Sequence, residues 1–369
     1  MPIYMDRHDV SESITAENIA LLHQEDLKVQ QQFGCRGLTY WFDDKRKTAF
    51  CLIEAPNPKA LKDMHDHAHG QVPHQIIEVE ASIVESFLGR IGDPAKSKNT
   101  ELNIINDAAF RIIMVISLNR WSLIKHDSTI NDILGKYKQA LGKILHSHEG
   151  TPVNQTDYHY LVSFKSVSKA VQAASSIQTM GRNFDQDGIK HRLELKIGLN
   201  AGVPVTHRKS IFEDTIRLAE RMCIVVNGEI IVSTEVKDLY QSENANKFIK
   251  GKTIFPLLHA DEKFITELMD YFEEVWSDSD LRVDHFTKAL GCSKSQFYRK
   301  MVWLTGKSPN DFIMDYRLNE ALNLLRKKAS NISETAFKAG FSSPSYFTKC
   351  FKSKFGVLPA VYQTSLQRL

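Results

Sequence analysis

One short unit occurs twice near the end of this chain, with the two copies offset by fifty positions. The offset aligns residues of similar type, namely Ser293 with Ser343, Phe297 with Phe347, Arg299 with Lys349, Gly306 with Gly356, and Pro309 with Pro359. Each copy reads as a short helix, a turn that contains Gly, and a second helix that begins at a Ser. This pattern predicts a helix-turn-helix in each copy, a motif whose second helix enters the major groove of DNA.

Capping residues indicate where these helices begin. Ser293 and the Gln three residues later form a capping box, while Ser343 followed by Pro344 provides an N-cap and a favourable first turn. Between the copies, a helix of about 18 residues is predicted from Ser308 to near Lys328, which gives a length of roughly 27 Å. Such a helix can hold two recognition helices about one DNA turn, roughly 34 Å, apart.

Exposed positions of the two second helices supply the candidate DNA contacts. Arg pairs bidentately with guanine and Gln with adenine, whereas Lys, Ser, Thr and Tyr contact bases or phosphates. The aromatic residues Phe297, Phe347 and Phe351 are expected in the core. Arg317, on the connecting helix, is either structural or directed at phosphate. The remaining candidates are Lys294, Ser295, Gln296, Tyr298 and Arg299 in the first copy, and Ser343, Ser345, Tyr346, Thr348, Lys349 and Lys352 in the second.

Charge is distributed unevenly along the chain. Residues 281–369 contain 15 Lys and Arg against 5 Asp and Glu, whereas the whole chain has a net charge of only +3. A basic module joined to an acidic remainder is typical of phosphate binding. Charge alone does not distinguish a DNA-binding module from a solvated basic surface. DNA binding is favoured because the basic charge coincides with the repeat and its capping residues.

Length and composition set the broader class. A chain of 369 residues is expected to form two or three domains. No apolar run reaches the ~18 residues that a membrane span requires, which argues against a membrane partner. The five cysteines are scattered and include no CxxC pair, so we expect reduced thiols in a cytoplasmic protein.

The last hundred residues resemble the AraC/XylS family of transcription regulators. The family's second-unit signature is recognisable in residues 332–336, 340–342, 345–347, 351–352, 355–356 and Pro359, and its linker-helix pattern in residues 317–321 and 324–325. One departure is Gln363, where many members have Arg after the aromatic residue, which puts one peripheral phosphate contact in doubt. The resemblance implies an all-α double helix-turn-helix over residues 261–369 that binds double-stranded DNA.

The first eighty residues alternate between strand and helix patterns in the order βαββαβ, which predicts a ferredoxin-like fold. Six of the chain's 14 histidines lie there. His65 and His69 are four apart and share one face of a predicted helix over residues 58–69, and His74 follows after a turn. Imidazoles at this spacing favour Ni²⁺, Cu²⁺ or Zn²⁺. A solvated polar helix without a metal is the alternative.

Residues 5–8, 40–43, 49–56 and 68–74 resemble a small family of nickel-binding, ferredoxin-like domains. The resemblance covers about residues 1–80 and implies Ni²⁺ as the cofactor. It does not transfer the ligands, so we take His65, His69 and His74 as candidates, with His8 as a fourth. Because such domains often pair sheet to sheet, a role in dimerisation is the alternative.

Residues 108–255 alternate between helix and strand patterns again, after a polar linker over residues 89–107. Residues 171–174, 197–202, 218–221 and 227–233 resemble class III nucleotidyl cyclase domains. The first of the family's two metal-binding carboxylates is absent, because residues 117–119 read Ser-Leu-Asn. At the second position the family's Gly-Asp becomes Thr156-Asp157, or lies one residue out of register. Arg221 matches the family's transition-state Arg, but the expected Asn four residues earlier is Arg217. Because cyclisation needs two metal ions held by these carboxylates, we expect a non-catalytic domain.

The predicted architecture is therefore two ferredoxin-like α+β domains, over residues 1–88 and 108–255, followed by the all-α double helix-turn-helix domain. We expect a DNA-binding transcription regulator, a homodimer with no enzymatic activity, whose front domains respond to a metal ion or a small molecule. A nucleotide site without catalysis and a dimerisation scaffold both remain open for the middle domain. The alternative function is an active nucleotidyl cyclase fused to a DNA-binding domain.

Overall fold

The computed structural model describes residues 1–95, 102–118, 128–156, 158–184, 195–244, 253–327 and 331–365. Asn119 and Asp157, which belong to the two expected carboxylate positions of a cyclase, lie outside these ranges, as does part of the predicted linker. None of the helices in the described ranges combines the length and the apolar character that a membrane crossing requires.

The first part of the chain forms a four-stranded antiparallel sheet, called here the front sheet. Its elements are β1 (Ile3–Asp9), α1 (Ala16–Val29), β2 (Arg36–Asp43), β3 (Thr48–Glu54), α2 (Pro58–His69) and β4 (Gln75–Val79). The strand order is β2-β3-β1-β4, with all three neighbouring pairs antiparallel. This is the ferredoxin-like arrangement that the sequence predicts, and the bounds of α2 agree with the predicted helix residue for residue.

Local chemistry fixes the ends of α2, the helix that carries three of the front histidines. The side chain of Asn57 accepts a hydrogen bond from Ala60 N at 3.0 Å, and Pro58 occupies the first turn, where its missing N–H costs nothing. The helix ends at Gly70, whose φ of 74° is in the left-handed region that Gly adopts without a Cβ clash.

A short helix, α3 (Ala81–Leu88), follows β4 and was not predicted from the sequence. Its last carbonyl groups accept hydrogen bonds from Arg111, since Nε donates to Phe87 O at 3.1 Å and Nη2 to Leu88 O at 3.2 Å. The buried guanidinium therefore satisfies the end of α3 and joins it to the first strand of the next sheet.

The second sheet, called here the middle sheet, has six strands in the order β10-β9-β8-β5-β7-β6. Its elements are β5 (Arg111–Leu118), α4 (Ser128–Ser147), β6 (Thr151–Gln155), β7 (His159–Phe164), α5 (Val167–Phe184), β8 (Leu195–Gly202), α6 (Glu213–Val225), β9 (Ile230–Val232), α7 (Thr234–Glu243) and β10 (Ile254–Pro256). Strands β5 to β8 repeat the connectivity of the front sheet, so the second ferredoxin-like fold is also confirmed. Strands β9 and β10 extend it in parallel with β8.

The front and middle sheets pack face to face. One apolar cluster joins Met5, Trp41, Phe50, Leu52 and Ile77 of the front sheet to Ile113, Val115 and Leu161 of the middle sheet and to Phe212, which precedes α6. Every one of these side chains is buried. The two sheets therefore cover each other's faces, while α1 and α2 cover the other side of the front sheet.

The rest of the described chain is helical. It contains α8 (His259–Val275), α9 (Val283–Ala289), α10 (Lys294–Thr305), α11 (Pro309–Arg326), α12 (Ile332–Lys338), α13 (Pro344–Phe355) and α14 (Pro359–Ser365). Helices α9 and α10 form the first helix-turn-helix unit and α12 and α13 the second, with α11 between them. The first unit shares its core with Met222, Val225 and Ile231 of the middle part, whereas the second unit has a separate core.

Candidate DNA interface and buried histidine cluster

The first recognition helix, α10, begins at a complete capping box. Gln296 N donates to Ser293 Oγ at 3.2 Å, and Ser293 N donates to Gln296 Oε1 at 3.0 Å. The helix ends at Gly306, where φ is 67°. Reciprocal capping therefore fixes the start of α10 at the residue that the sequence predicted.

The polar face of α10 is turned to solvent. Phe297 and Met301 are each 1% exposed and belong to the core. The five predicted contacts on this helix, Lys294, Ser295, Gln296, Tyr298 and Arg299, are all exposed. The capping box engages Gln296 Oε1, so in this arrangement Gln296 does not present the free amide that a bidentate contact with adenine requires.

The second recognition helix, α13, likewise has a buried apolar face and an exposed polar face. Phe347 and Phe351 are fully buried, and Ser343 caps the helix by accepting a hydrogen bond from Tyr346 N at 3.3 Å. Thr348 is half-buried and donates to Pro344 O at 2.9 Å. The exposed residues of the predicted set are Ser345, Tyr346, Lys349 and Lys352.

Arg317 has a structural position, which is the first of the two alternatives that the sequence left open for this residue. The side chain is buried in α11, and Nε donates to Trp276 O at 2.8 Å while Nη2 donates to Asp278 O. Gly340, the turn residue of the second unit, lies against this guanidinium and has a φ of 78°. Arg317 therefore joins the end of α8, the connecting helix and the second turn.

Three of the four predicted histidine ligands lie together inside the front part of the chain. The ring centroids of His8 and His65 are 5.0 Å apart, and His65 Nδ1 is 3.3 Å from His69 Nε2. His74 is placed differently, because its Nδ1 accepts a hydrogen bond from Asp9 N at 3.2 Å and it belongs to neither group of close potential ligands in the described residues.

Two carboxylates and a thiol complete this cluster, and the sequence analysis missed all three. Asp6, His8, Cys51 and His65 form one group of potential metal ligands, and Asp26, His65 and His69 form another. A signal for Asp6 was available, since it lies two residues from His8 on a predicted strand and so shares its face. No sequence spacing connects Asp26 or Cys51 to the histidines.

Burial and pairing shift the pKa values of this cluster. Burial alone would raise the pKa of Asp6, but the charge of His8 and the hydrogen bond with His65 outweigh it and hold that pKa well below its usual range. Burial opposes the charged form of His65, but hydrogen bonds with Asp26 and Asp6 raise its pKa to about 10. These contacts favour the protonated form of His65, whose ring lies between the carboxylates of Asp6 and Asp26.

Arg221, which matches the transition-state Arg of cyclases, is 3% exposed and is held by α8. Its Nη2 is 2.7 Å from Asp270 Oδ1 and 2.8 Å from Glu273 Oε2, and its Nε is 3.0 Å from Glu273 Oε1. Arg217 contacts the same two carboxylates. Both arginines thus tie α6 of the middle part to the helix that precedes the first helix-turn-helix unit.

Two stretches of the chain match known protein families. Residues 286–365 match the family described as helix-turn-helix domain, and residues 4–79 match the family described as nickel responsive protein SCO4226-like. The chain therefore ends in an AraC-type helix-turn-helix domain and begins with a domain similar to the nickel responsive protein.

Individual relatives match only parts of the chain. Histidine kinase P4 of Formosa agariphila is 34% identical over 121 residues, which make up 32% of this chain and 9% of that protein. The uncharacterized HTH-type transcriptional regulator YidL of Escherichia coli is 31% identical over 157 residues, 37% of this chain and 51% of that protein. The structure of the adenylyl cyclase CyaB from P. aeruginosa is 17% identical and aligns with 36% of this chain and 81% of that chain, at a TM-score of 0.31.

Replacing Arg317 tests its structural position. Arg317→Ala leaves the carbonyl groups of Trp276 and Asp278 without this buried donor, so we expect a loss of about 1–3 kcal/mol in the free energy of unfolding. Asn319→Ala, at an exposed position of the same helix, is the control and should change that free energy little. Equal stability of the two variants in chemical denaturation would contradict the assignment.

Proposed function

We propose that this protein is a sequence-specific, DNA-binding transcription regulator. The supporting observation is the pair of capped recognition helices, α10 and α13, each of which buries apolar residues on one side and exposes polar and basic residues on the other. The surrounding module is basic, which favours association with phosphate. Such a regulator acts on DNA inside the cell, so we propose a cytoplasmic location.

The exposed residues of the two helices suit two roles, contacts with bases and contacts with phosphates. Arg299 lies at the position of the first helix that corresponds to Lys349 in the second. An Arg at such a position pairs bidentately with guanine, whereas Lys349 and Lys352 at the exposed surface of α13 suit phosphate or guanine contacts. The caps at Ser293 and Ser343 orient both helices and need not contact DNA themselves.

We propose that the middle part of the chain is a scaffold without cyclase activity. Transition-state stabilisation by Arg221 would require its guanidinium to face a nucleotide, yet the guanidinium is occupied by Asp270 and Glu273 of α8. Ser117, at the end of β5, lies in the segment where a cyclase carries its first metal-binding carboxylate. The second candidate is an active cyclase fused to a DNA-binding domain, and the resemblance in sequence to cyclases is its support.

For the front part we propose a response to Ni²⁺. The match to the nickel responsive family and the cluster of His8, His65 and His69 support this proposal. Imidazole nitrogens suit Ni²⁺, which would act as the effector of the regulator. A small molecule bound elsewhere in the front part or in the middle part is the other candidate effector.

The homodimer predicted from the sequence stays a prediction, and the fold restricts where it can form. The faces of the front and middle sheets are packed against each other within one chain. Pairing of two chains through these faces would require that cluster to open. A homodimer therefore uses other surfaces, and sedimentation of the full chain decides whether it forms.

The substitution Arg299→Ala tests the DNA contact. If Arg299 pairs with a base, its loss should weaken binding by about 1–3 kcal/mol and relax the preference at one base pair. Binding to a library of DNA sequences measures both effects. Lys263→Ala, which removes one exposed positive charge from α8, is the matched control, and an equal loss on every sequence would make Arg299 a phosphate contact instead.

A turnover assay separates the two candidate functions of the middle part. The full chain with ATP or GTP and Mg²⁺ or Mn²⁺ should produce no cyclic nucleotide, because the first of the two metal-binding carboxylates that cyclisation needs is absent. An active class III cyclase is assayed alongside as a control. Turnover by this chain that Arg221→Ala abolishes would establish the cyclase and reject the scaffold.

Thermal unfolding with metals tests the response to Ni²⁺. An ion that binds only the folded state stabilises it by about 2.7 kcal/mol at 100 times its Kd, so calorimetry of the full chain should show a higher Tm with Ni²⁺. Replacement of His65 and His69 by Gln should remove the metal-dependent difference, and His74→Gln should retain it. An unchanged Tm with Ni²⁺, Zn²⁺ and Cu²⁺ would leave the front part without this function.

A further inference from the structure

Four potential metal ligands converge between the front sheet and its helices. Asp6 and His8 are two residues apart on β1 and therefore lie on the same face. Cys51 lies on the antiparallel neighbour β3, where its backbone N donates to Asp6 Oδ1 at 3.0 Å. His65, on α2, places its Nε2 2.9 Å from Asp6 Oδ2. Two strands and one helix thus bring these side chains to one place.

The four side chains offer a compact set of ligand atoms. One carboxylate oxygen, two imidazole nitrogens and one sulfur lie within 4.8 Å of one another. Asp6 is fully buried, His65 is 1% exposed, and His8 and Cys51 are each 7% exposed. Imidazole and thiolate ligands suit Ni²⁺, Zn²⁺ and Cu²⁺, whereas Mg²⁺ and Ca²⁺ prefer sets made of oxygen.

One buried nitrogen in this set has only a long contact with the protein. His8 Nε2 has no hydrogen-bond partner among the described residues, although Asp6 Oδ1 lies 3.3 Å away. A buried polar atom without a partner costs free energy and calls for an explanation, such as an ion that is not part of the chain. A cation bound at this nitrogen would remove the cost.

His65 also has the outer contact that metal-binding histidines commonly make. Its Nδ1 is 3.0 Å from Asp26 Oδ1, and that oxygen is 3.1 Å from His69 Nε2. A histidine that binds a metal through one ring nitrogen usually donates the other N–H to a carboxylate, which fixes its tautomer and orientation. Asp26 and His69 are therefore placed to support His65 from outside the set.

We propose that Asp6, His8, Cys51 and His65 form a buried site for one divalent transition-metal ion, with Ni²⁺ and Zn²⁺ as the matching ions. The ion would be held by a carboxylate oxygen of Asp6, Nε2 of His8, Sγ of Cys51 and Nε2 of His65. On binding, the Cys51 thiol releases its proton to solvent and the thiolate takes its place as a ligand. This inference rests on the metal response proposed above and adds a thiolate and a carboxylate to the histidines.

A hydrogen-bonded network without a metal ion is the competing explanation for the same contacts. In that case His65 links Asp6 and Asp26 as a cation, and Cys51 remains a thiol. The two explanations differ in one observable, because only a bound ion forms a bond between metal and sulfur. Absorption by that bond in the near ultraviolet reports the thiolate directly and does not depend on DNA binding.

The experiment uses the full chain, freed of metal by a chelator and titrated with Ni²⁺ or with Co²⁺ as a spectroscopic substitute. We expect one ion per chain and an absorption band of the metal–thiolate bond. Cys51→Ser should lose the band and bind the ion more weakly by about tenfold or more, since even outer-shell changes cost 10–100-fold. His8→Gln should keep the band while binding more weakly, so the test does not depend on how well Cys51→Ser folds.

Matched controls come from the same part of the chain. Cys35 is a second buried thiol outside the set, and His74 is a histidine outside it, so Cys35→Ser and His74→Gln should keep both the band and the affinity. A band that persists in Cys51→Ser would overturn the inference. A higher Tm with Ni²⁺ but no band in the native chain would overturn it while leaving the metal response intact, and absence of any binding would reject both.

Discussion

The packing of the front sheet against the middle sheet is the contact on which the rest of the molecule depends. Each ferredoxin-like unit has helices on one face of its sheet and needs a cover for the other face. Here each sheet covers the other, through Trp41 and Phe50 on one side and Val115 and Leu161 on the other. The same packing gives the two sides of β1 different surroundings. Met5 faces the middle sheet, whereas Asp6 faces the buried cluster.

The middle part continues into the DNA-binding helices through a second shared core. Met222 and Val225 of α6 pack with Phe272 of α8 and Phe297 of α10, so the first helix-turn-helix unit is not an independent module. The ion pairs of Arg221 with Asp270 and Glu273 lie at this junction. The second unit has its own core, and Arg317 is among its links to α8. The middle part therefore packs directly against the first unit, whereas Arg317 links the second unit to it through α8.

Sequence reasoning succeeded where the determining interactions are local. Capping boxes, a Pro in the first turn and apolar spacing depend on residues within a few positions of one another, so α2, α10 and α13 could be located from the sequence. It failed for α3, a helix of eight residues that carries no side-chain cap. It also left Arg317 open between a structural role and a phosphate contact, because spacing on a helix does not reveal which face a neighbouring loop covers.

The sequence by itself determined the βαββαβ order of the first eighty residues, the repeat of the helix-turn-helix and the polar faces of its two recognition helices, because period and capping are properties of short segments. Only the tertiary structure decided that His8 and His65 lie beside Asp6 and Cys51 while His74 does not, because this grouping requires β1, β3 and α2 to meet. The same is true of Arg221, whose partners are 49 and 52 residues further along the chain and were brought to it by the packing of α6 on α8.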